Sequence, residues 1–268
     1  MIVLEAVGDE PTSEFLFKAE LYTGDDRAME RRQRWAIDGT ILEHQGQRYL
    51  LWSGWQDERD EQWLYIAPMA NPWTLAGPRT RLCANDDYLW ERLDETKATR
   101  GLNEGPQVLQ RNGRVFVIFS ASASWETSYK LGLLELSPGG DPLDPRAWNK
   151  QREPVFSATE RTWGVGHCSF TQSPDGLEDW IVFHAKLETK PGWNRAIHAQ
   201  RFGWDASGRP RFDAPIEAGI PLAVPSGEKR LAHAASADHV IETVRVLEVP
   251  AGVATPRRAE SLTLTAQP

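Results

Sequence analysis

Apolar residues in this chain gather in short runs separated by Gly, Asn, Asp and Pro, and the runs come in pairs. From Asn103 to Ser122 (NEGPQVLQRNGRVFVIFSAS) a carboxylate stands first, then Val108 and Leu109, a turn at Asn112-Gly113, and a second run from Val115 to Phe119. Asn-Gly between two such runs is the strongest short-range hairpin signal. The pattern recurs upstream from Ile37 to Ser53 (IDGTILEHQGQRYLLWS), with Asp38 at the head and a turn at Gln45-Gly46. It recurs downstream from Gly166 to Ala185 (GHCSFTQSPDGLEDWIVFHA), with His167 at the head and a turn at Asp175-Gly176. The heads Asp38, Glu104 and His167 lie 66 and 63 residues apart. Self-similarity at a near-constant period marks a repeat protein built of hairpin units.

Each hairpin is followed by a second pair of strand-like runs. These are Trp63 to Ala67 with Pro78 to Leu82, Leu131 to Leu136 with an edge strand ending at Val155-Phe156, and Ala196 to Phe202 ahead of a turn at Asp205 to Gly208. Four short strands per repeat, rich in β-branched and aromatic residues and punctuated by Gly, Pro, Asp and Asn, predict an all-β chain of propeller blades. Met1 to Leu21 reads as strand, turn, strand, and parallels the second half of a blade. The expected organisation is a half blade over 1–25, full blades over about 35–85, 100–157 and 163–228, and a tail over 229–268. In the tail His239 to Val249 and Leu262 to Thr265 read as strands, as a frayed end or a cover for an open sheet edge.

Composition narrows the partners. Of 268 residues 40% are hydrophobic and 25% charged, an ordinary globular balance. The net charge of −8, with no basic stripe, argues against nucleic acid. No run approaches the length of a membrane span. The N-terminus MIVLEAVGDEPTSEF has neither a basic n-region nor a long apolar h-region, so the chain at face value is cytoplasmic. A start upstream of Met1 would leave room for an export signal and an extracellular or periplasmic location. Cys83 and Cys168 fall on unrelated parts of the repeat and have no metal-ligand spacing. The twelve Trp residues stand out. Most are expected in the core, but a flat ring with a polar edge also suits a sugar face, and Trp52, Trp55 and Trp125 are candidate platforms.

Equivalent positions of successive blades converge on the propeller axis. Asp38, Glu104 and His167 are therefore expected in one pocket, either as turn residues capping strands or as a site.

The segments WAIDGTILEHQGQRYLLWSG, LYIAPMANPWTLAGPR, NEGPQVLQRNGRVFVIFSAS, DPLDPRAWNK, EPVF and GHCSFTQSPDGLEDWIVFHA together resemble glycoside hydrolase family 43 over about residues 1–228. These are five-bladed β-propellers acting on arabinose- and xylose-containing polysaccharides, and the likeness is to the α-L-arabinofuranosidase and exo-arabinanase-like members. The resemblance implies that Glu104 is the general acid and that Asp38 tunes its pKa and orients it. It implies that Arg195 approaches the sugar, and that His167 lies beneath the site beside a central cation. That cation is typically calcium held through waters, a structural cofactor not required for the chemistry. It further implies an inverting mechanism, in which like-charge repulsion from Asp38 would raise the pKa of Glu104.

The family's general base, an aspartate in an Ala-Asp-Pro type motif, has no counterpart here; Asp9-Glu10-Pro11 falls in an outer turn. The chain therefore reads as an enzyme lacking its first blade and half its second, with hydrolysis impaired. Two other readings stand beside it. One is a catalytically inactive sugar-binding fragment; the other is a half-propeller completed by a partner, with self-association through its open edge.

Overall fold

The computed structural model describes residues 1–10, 12–25, 33–57, 61–94 and 101–228, so the strands expected at His239 to Val249 and Leu262 to Thr265 lie outside the described residues. The first hairpin pairs β1 (Ile2–Ala6) with β2 (Phe15–Glu20). The first four-stranded unit contains β3 (Ala36–His44), β4 (Gln47–Trp55), β5 (Gln62–Asn71) and β7 (Thr80–Cys83), with the short β6 (Thr74–Leu75) folded back on the end of β5. The second contains β8 (Leu102–Arg111), β9 (Arg114–Ser122), β10 (Lys130–Leu136) and β11 (Trp148–Lys150). The third contains β12 (Trp163–Gln172), β13 (Asp179–Lys186), β14 (Arg195–Trp204) and β15 (Pro210–Arg211).

Turn chemistry explains the hairpins. Gln45 and Asn112 take φ of 51° and 50°, followed by Gly46 and Gly113 at 78° and 76°. Two successive left-handed residues are what a type I′ turn demands, and Asn and Gly adopt them at least cost. Within each unit the strands pair antiparallel in chain order, the arrangement of a propeller blade. Among the described residues a lone parallel pair, Gln62 with Leu102, joins the first two blades into a nine-stranded sheet.

The fourth strand of the second blade differs from expectation. It is Trp148–Lys150, delivered by a 3₁₀ turn whose Asp144 side chain accepts from the Arg146 backbone N–H. The run ending at Phe156 makes only an isolated bridge to Leu131. Pro154 has no N–H to donate, so a regular ladder cannot run through it.

The second strand of a blade is buried on both faces. On β9, Val115, Val117, Phe119 and Ala121 enter a cluster shared with Leu42, Leu51 and Ile66 of the first blade. The alternate residues Phe116 and Ile118 join Ile181 and Phe183 of the third. A strand packed on both sides reads as an unbroken apolar run, which is why VFVIF shows no alternation. On β4, Tyr49 and Leu51 face the first of these clusters, whereas Leu50 and Trp52 face a third with Leu21, Met1 and Val3 of the leading hairpin. Trp52 has no accessible surface and stacks on Tyr65 at 5.9 Å, so it is a core residue and offers no face to a sugar. Both cysteines are buried and free, in different clusters. Among the described residues no helix is long and apolar enough to cross a membrane.

Candidate active site

The innermost strand of every blade carries the same irregularity. Register shifts fall between Ile37 and Thr40, between Glu104 and Gln107, and between Gly166 and Ser169. At each shift one residue has positive φ: Asp38 at 57°, Gly105 at 55° and His167 at 50°. Such bulges re-aim side chains and recur beside active sites. The structurally equivalent positions are thus Asp38, Gly105 and His167, and Glu104 stands one residue earlier, level with Ile37 and Gly166. The three heads read from sequence meet in space but are not strictly in phase. A left-handed non-glycine residue costs about 1–2 kcal/mol. Asp38 and His167 bear that cost in the segments that form the cluster.

The cluster is tight. Asp38 Oδ2 accepts from the Gly105 backbone N–H at 2.9 Å, so the aspartate fixes the main chain next to Glu104. His167 Nε2 lies 3.8 Å from Asp38 Oδ1, and its Nδ1 lies 4.0 Å from Glu104 Oε1. The His167 backbone N–H donates to Ser120 Oγ at 2.8 Å, which pins the third blade to the second. A Cβ on Gly105 would come within 3.2 Å of the His167 ring, so the glycine makes room for the imidazole as well as the turn.

Tyr129, fully buried, donates its hydroxyl to Glu104 Oε1 at 2.6 Å. Gly166 allows this, because a Cβ there would stand 2.3 Å from the Tyr129 ring. The tyrosine ring lies parallel to that of His184 on β13, with centroids 5.3 Å apart and planes at 3°. His184 Nε2 meets Arg195 NH1 at 3.0 Å. Arg195 opens β14, so Glu104 and Arg195 are linked through a tyrosine and a histidine.

Burial pushes the pKa of Glu104 up. The Tyr129 hydrogen bond and the charges of His167 and Arg195 pull the other way, and the Asp38 charge adds a smaller upward push. Desolvation, rather than repulsion from Asp38, is therefore the main reason the pKa of this carboxyl is raised. Its side chain is 9% exposed, against 20% for Asp38 and 44% for His167. Burial likewise pushes the Tyr129 phenol well above its ordinary value, so it remains a donor.

His184 is pushed down to about 3 by burial, then by the charges of Arg195 and His167. The unfolded chain takes up that proton near about pH 6.5. Between those values the unfolded state binds more protons, so this contribution to stability is complete above pH 6.5 and is lost as pH falls toward 3. Glu104 and Glu91, whose folded carboxyls titrate above their ordinary values, act oppositely: their contribution declines as pH rises past about 4.5. Thermal melts should show Tm falling as pH drops from 6.5 to 5, and His184→Phe should remove at least half of that fall.

The other candidates separate. Trp55 is half-buried and stacks on Trp35 at 5.0 Å, and Trp35 is 37% exposed. Trp125 is half-buried against Trp193 at 6.0 Å, and Trp193 is 64% exposed. In each pair the more open ring is one the sequence did not single out. Tyr129 and His184 were also missed: Tyr129 falls in a polar stretch before β10, and His184 sits inside the apolar run WIVFHAK. A lone imidazole in such a run was the one available signal.

Calcium takes about six to eight oxygen ligands. Among the described residues no group of three or more His, Cys, Asp or Glu side chains is placed to hold an ion. His167 with two carboxylates does not make a direct-ligand set.

The family model for glycosyl hydrolases family 43 matches residues 5–210. Alpha-L-arabinofuranosidase 43 of Humicola insolens is 35% identical over 228 residues, covering 81% of this chain and 44% of that protein. The extracellular exo-alpha-(1->5)-L-arabinofuranosidase of Streptomyces chartreusis is 40% identical over 157 residues, 58% of this chain and 46% of that protein. The chain spans about half the length of these curated relatives. The crystal structure of an alpha-L-arabinofuranosidase from Lactobacillus brevis matches with a TM-score of 0.70 and 31% identity, over 81% of this chain and 66% of that one. A hydrogen-bonded buried carboxyl at the meeting point of successive blades, in a chain matched over most of its length, places this protein: it belongs to glycoside hydrolase family 43.

Proposed function

We propose that this chain carries the acid half of an arabinofuranosidase-type site, cleaving terminal α-L-arabinofuranosyl residues from plant cell-wall oligosaccharides and polysaccharides, with β-xylosyl residues as the alternative substrate. The observation that carries this reading is Glu104: a buried carboxyl with raised pKa, one oxygen fixed by Tyr129 at 2.6 Å. Glu104 gives its proton to the leaving glycosidic oxygen as the C–O bond breaks. Asp38 sets the main chain at Gly105 and so aims the acid. Arg195 binds the sugar, with the Trp35–Trp55 and Trp125–Trp193 pairs as flanking platforms.

In an inverting displacement a second carboxylate, about 6.5–9.5 Å from the acid, activates water on the opposite face. The charges acting on Glu104 come from His167, Asp38 and Arg195. The Ala-Asp-Pro type motif that the resemblance implies for this base has no counterpart in this sequence, and on this reading no residue here supplies it. Hydrolysis by the described residues alone would then be slower by about 100- to 10,000-fold. That favours, as a second reading, sugar binding without turnover.

Azide separates the two, because it attacks the anomeric carbon without needing a proton removed. The aryloxide leaves with the proton of Glu104 and an arabinosyl azide forms. Release of phenol from an aryl α-L-arabinofuranoside should rise with azide and exceed release from the aryl β-xyloside. Folded protein that releases nothing from either, with or without azide, would leave only the binding reading.

A further inference from the structure

We propose that His184 is a positioning residue that holds both the acid, through Tyr129, and the sugar-facing Arg195; this rests on the glycosidase reading above.

Arginine has no acceptor, so the His184 nitrogen that faces it at 3.0 Å must present a lone pair. A neutral imidazole has one lone pair and one N–H. Nε2 therefore accepts from Arg195 and Nδ1 carries the hydrogen, which fixes the tautomer. The groups facing this imidazole are Arg195 on β14, His167 on β12, Tyr129 ahead of β10, and Lys186 on its own strand. Two of these are permanent cations, so protonation of His184 would set it against Arg195. Kept neutral, it stacks flat on Tyr129.

The backbone supports the same arrangement. His184 pairs with Gly166 across β12 and with Ile197 across β14. Gly166 is where the side chain is missing so that the Tyr129 ring can pass. One face of the phenol ring is thus set by a glycine gap and a parallel imidazole, and its hydroxyl has a fixed reach to Glu104 Oε1. An aromatic pair in this geometry is favourable beyond its buried area. Without the stack the ring would lose its parallel partner, and the hydroxyl would be aimed by its bond to Glu104 and its 3.5 Å approach to His167 Nδ1.

The test follows the Glu104 carboxyl by ¹³C NMR in protein labelled at glutamate, with Glu104→Gln to assign the resonance. Tyr129 donates to the ionised form, so losing its aim raises the titration midpoint. His184→Ala, which removes the stack, should move it up by about one unit, as Tyr129→Phe should. His184→Phe keeps the stack and removes the acceptor. It should hold the midpoint near that of the parent while weakening arabino-oligosaccharide binding about tenfold, roughly one charge-assisted hydrogen bond. A folded His184→Ala protein with the parent midpoint would overturn the proposal, and so would His184→Phe moving the midpoint as far as His184→Ala does. Should the parent bind no arabino-oligosaccharide at all, the glycosidase reading fails, and the titrations still decide whether His184 places the acid.

Discussion

Glu104→Gln is expected to lower turnover of an unactivated arabino-oligosaccharide by about 100- to 10,000-fold, the range a positioned general acid contributes. The amide keeps the volume and can still accept from Tyr129, so the fold and the hydrogen bond at Oε1 survive. What it loses is a transferable proton. The loss must therefore depend on the leaving group. A sugar alkoxide cannot depart without that proton, whereas a 2,4-dinitrophenolate can. With the dinitrophenyl glycoside the same variant should retain most of the parent rate, with azide present in both assays so that attack at the anomeric carbon is not limiting. Equal losses on both substrates would mean that Glu104 holds the sugar and does not protonate it.

Lys150→Met should cost about 3–5 kcal/mol of stability, measured by urea unfolding. Lys150 Nζ pairs with Glu91, whose side chain has no solvent exposure, and also contacts Asp87 Oδ2 at 2.9 Å and the Ala84 carbonyl at 2.7 Å. Glu91 in turn accepts from Asn103 Nδ2 at 3.0 Å, and the Asn103 carbonyl accepts from Ser53 Oγ at 2.7 Å. Removing the lysine leaves a buried carboxylate with no counter-charge. Glu91, already pushed upward by burial, would then take a proton at low pH. The loss should therefore be larger at pH 8 than at pH 5, because only at high pH must the folded state carry the bare charge. Combining Lys150→Met with Glu91→Gln removes that charge and keeps the acceptor for Asn103, and should recover most of the loss. Asn103 precedes Glu104 on β8, so this pair also anchors the strand that carries Glu104.

The blade organisation was legible because its signals are local. Asn112-Gly113 and Gln45-Gly46 announce their hairpins through backbone conformation alone, and the two-sided burial of β9 leaves an apolar run. Asp38, Glu104 and His167 could be picked out because each heads an inner strand, and the structure does bring them within contact of one another or of Gly105. The residues that escaped lie where periodicity carries no information. Tyr129 reaches Glu104 only because Gly166, 37 residues further on, lacks a side chain. His184 matters through a stack between blades, and no spacing within one blade encodes that. Trp52 was misjudged because a tryptophan on a strand alternates between two faces, and here both are buried, one by the leading hairpin. The off-by-one phase of Glu104 is a property of the bulges, which shift register without changing the residues on either side.

The central claim is that burial raises the pKa of Glu104 above the ordinary glutamate value, as the proposed proton donor requires. ¹³C NMR titration of glutamate-labelled protein tests it directly. A carboxyl resonance that vanishes in Glu104→Gln should titrate clearly above the ordinary glutamate value of about 4.3. A Glu104 resonance titrating at or below that value would contradict the account, because the carboxyl would then be ionised where it is required to donate.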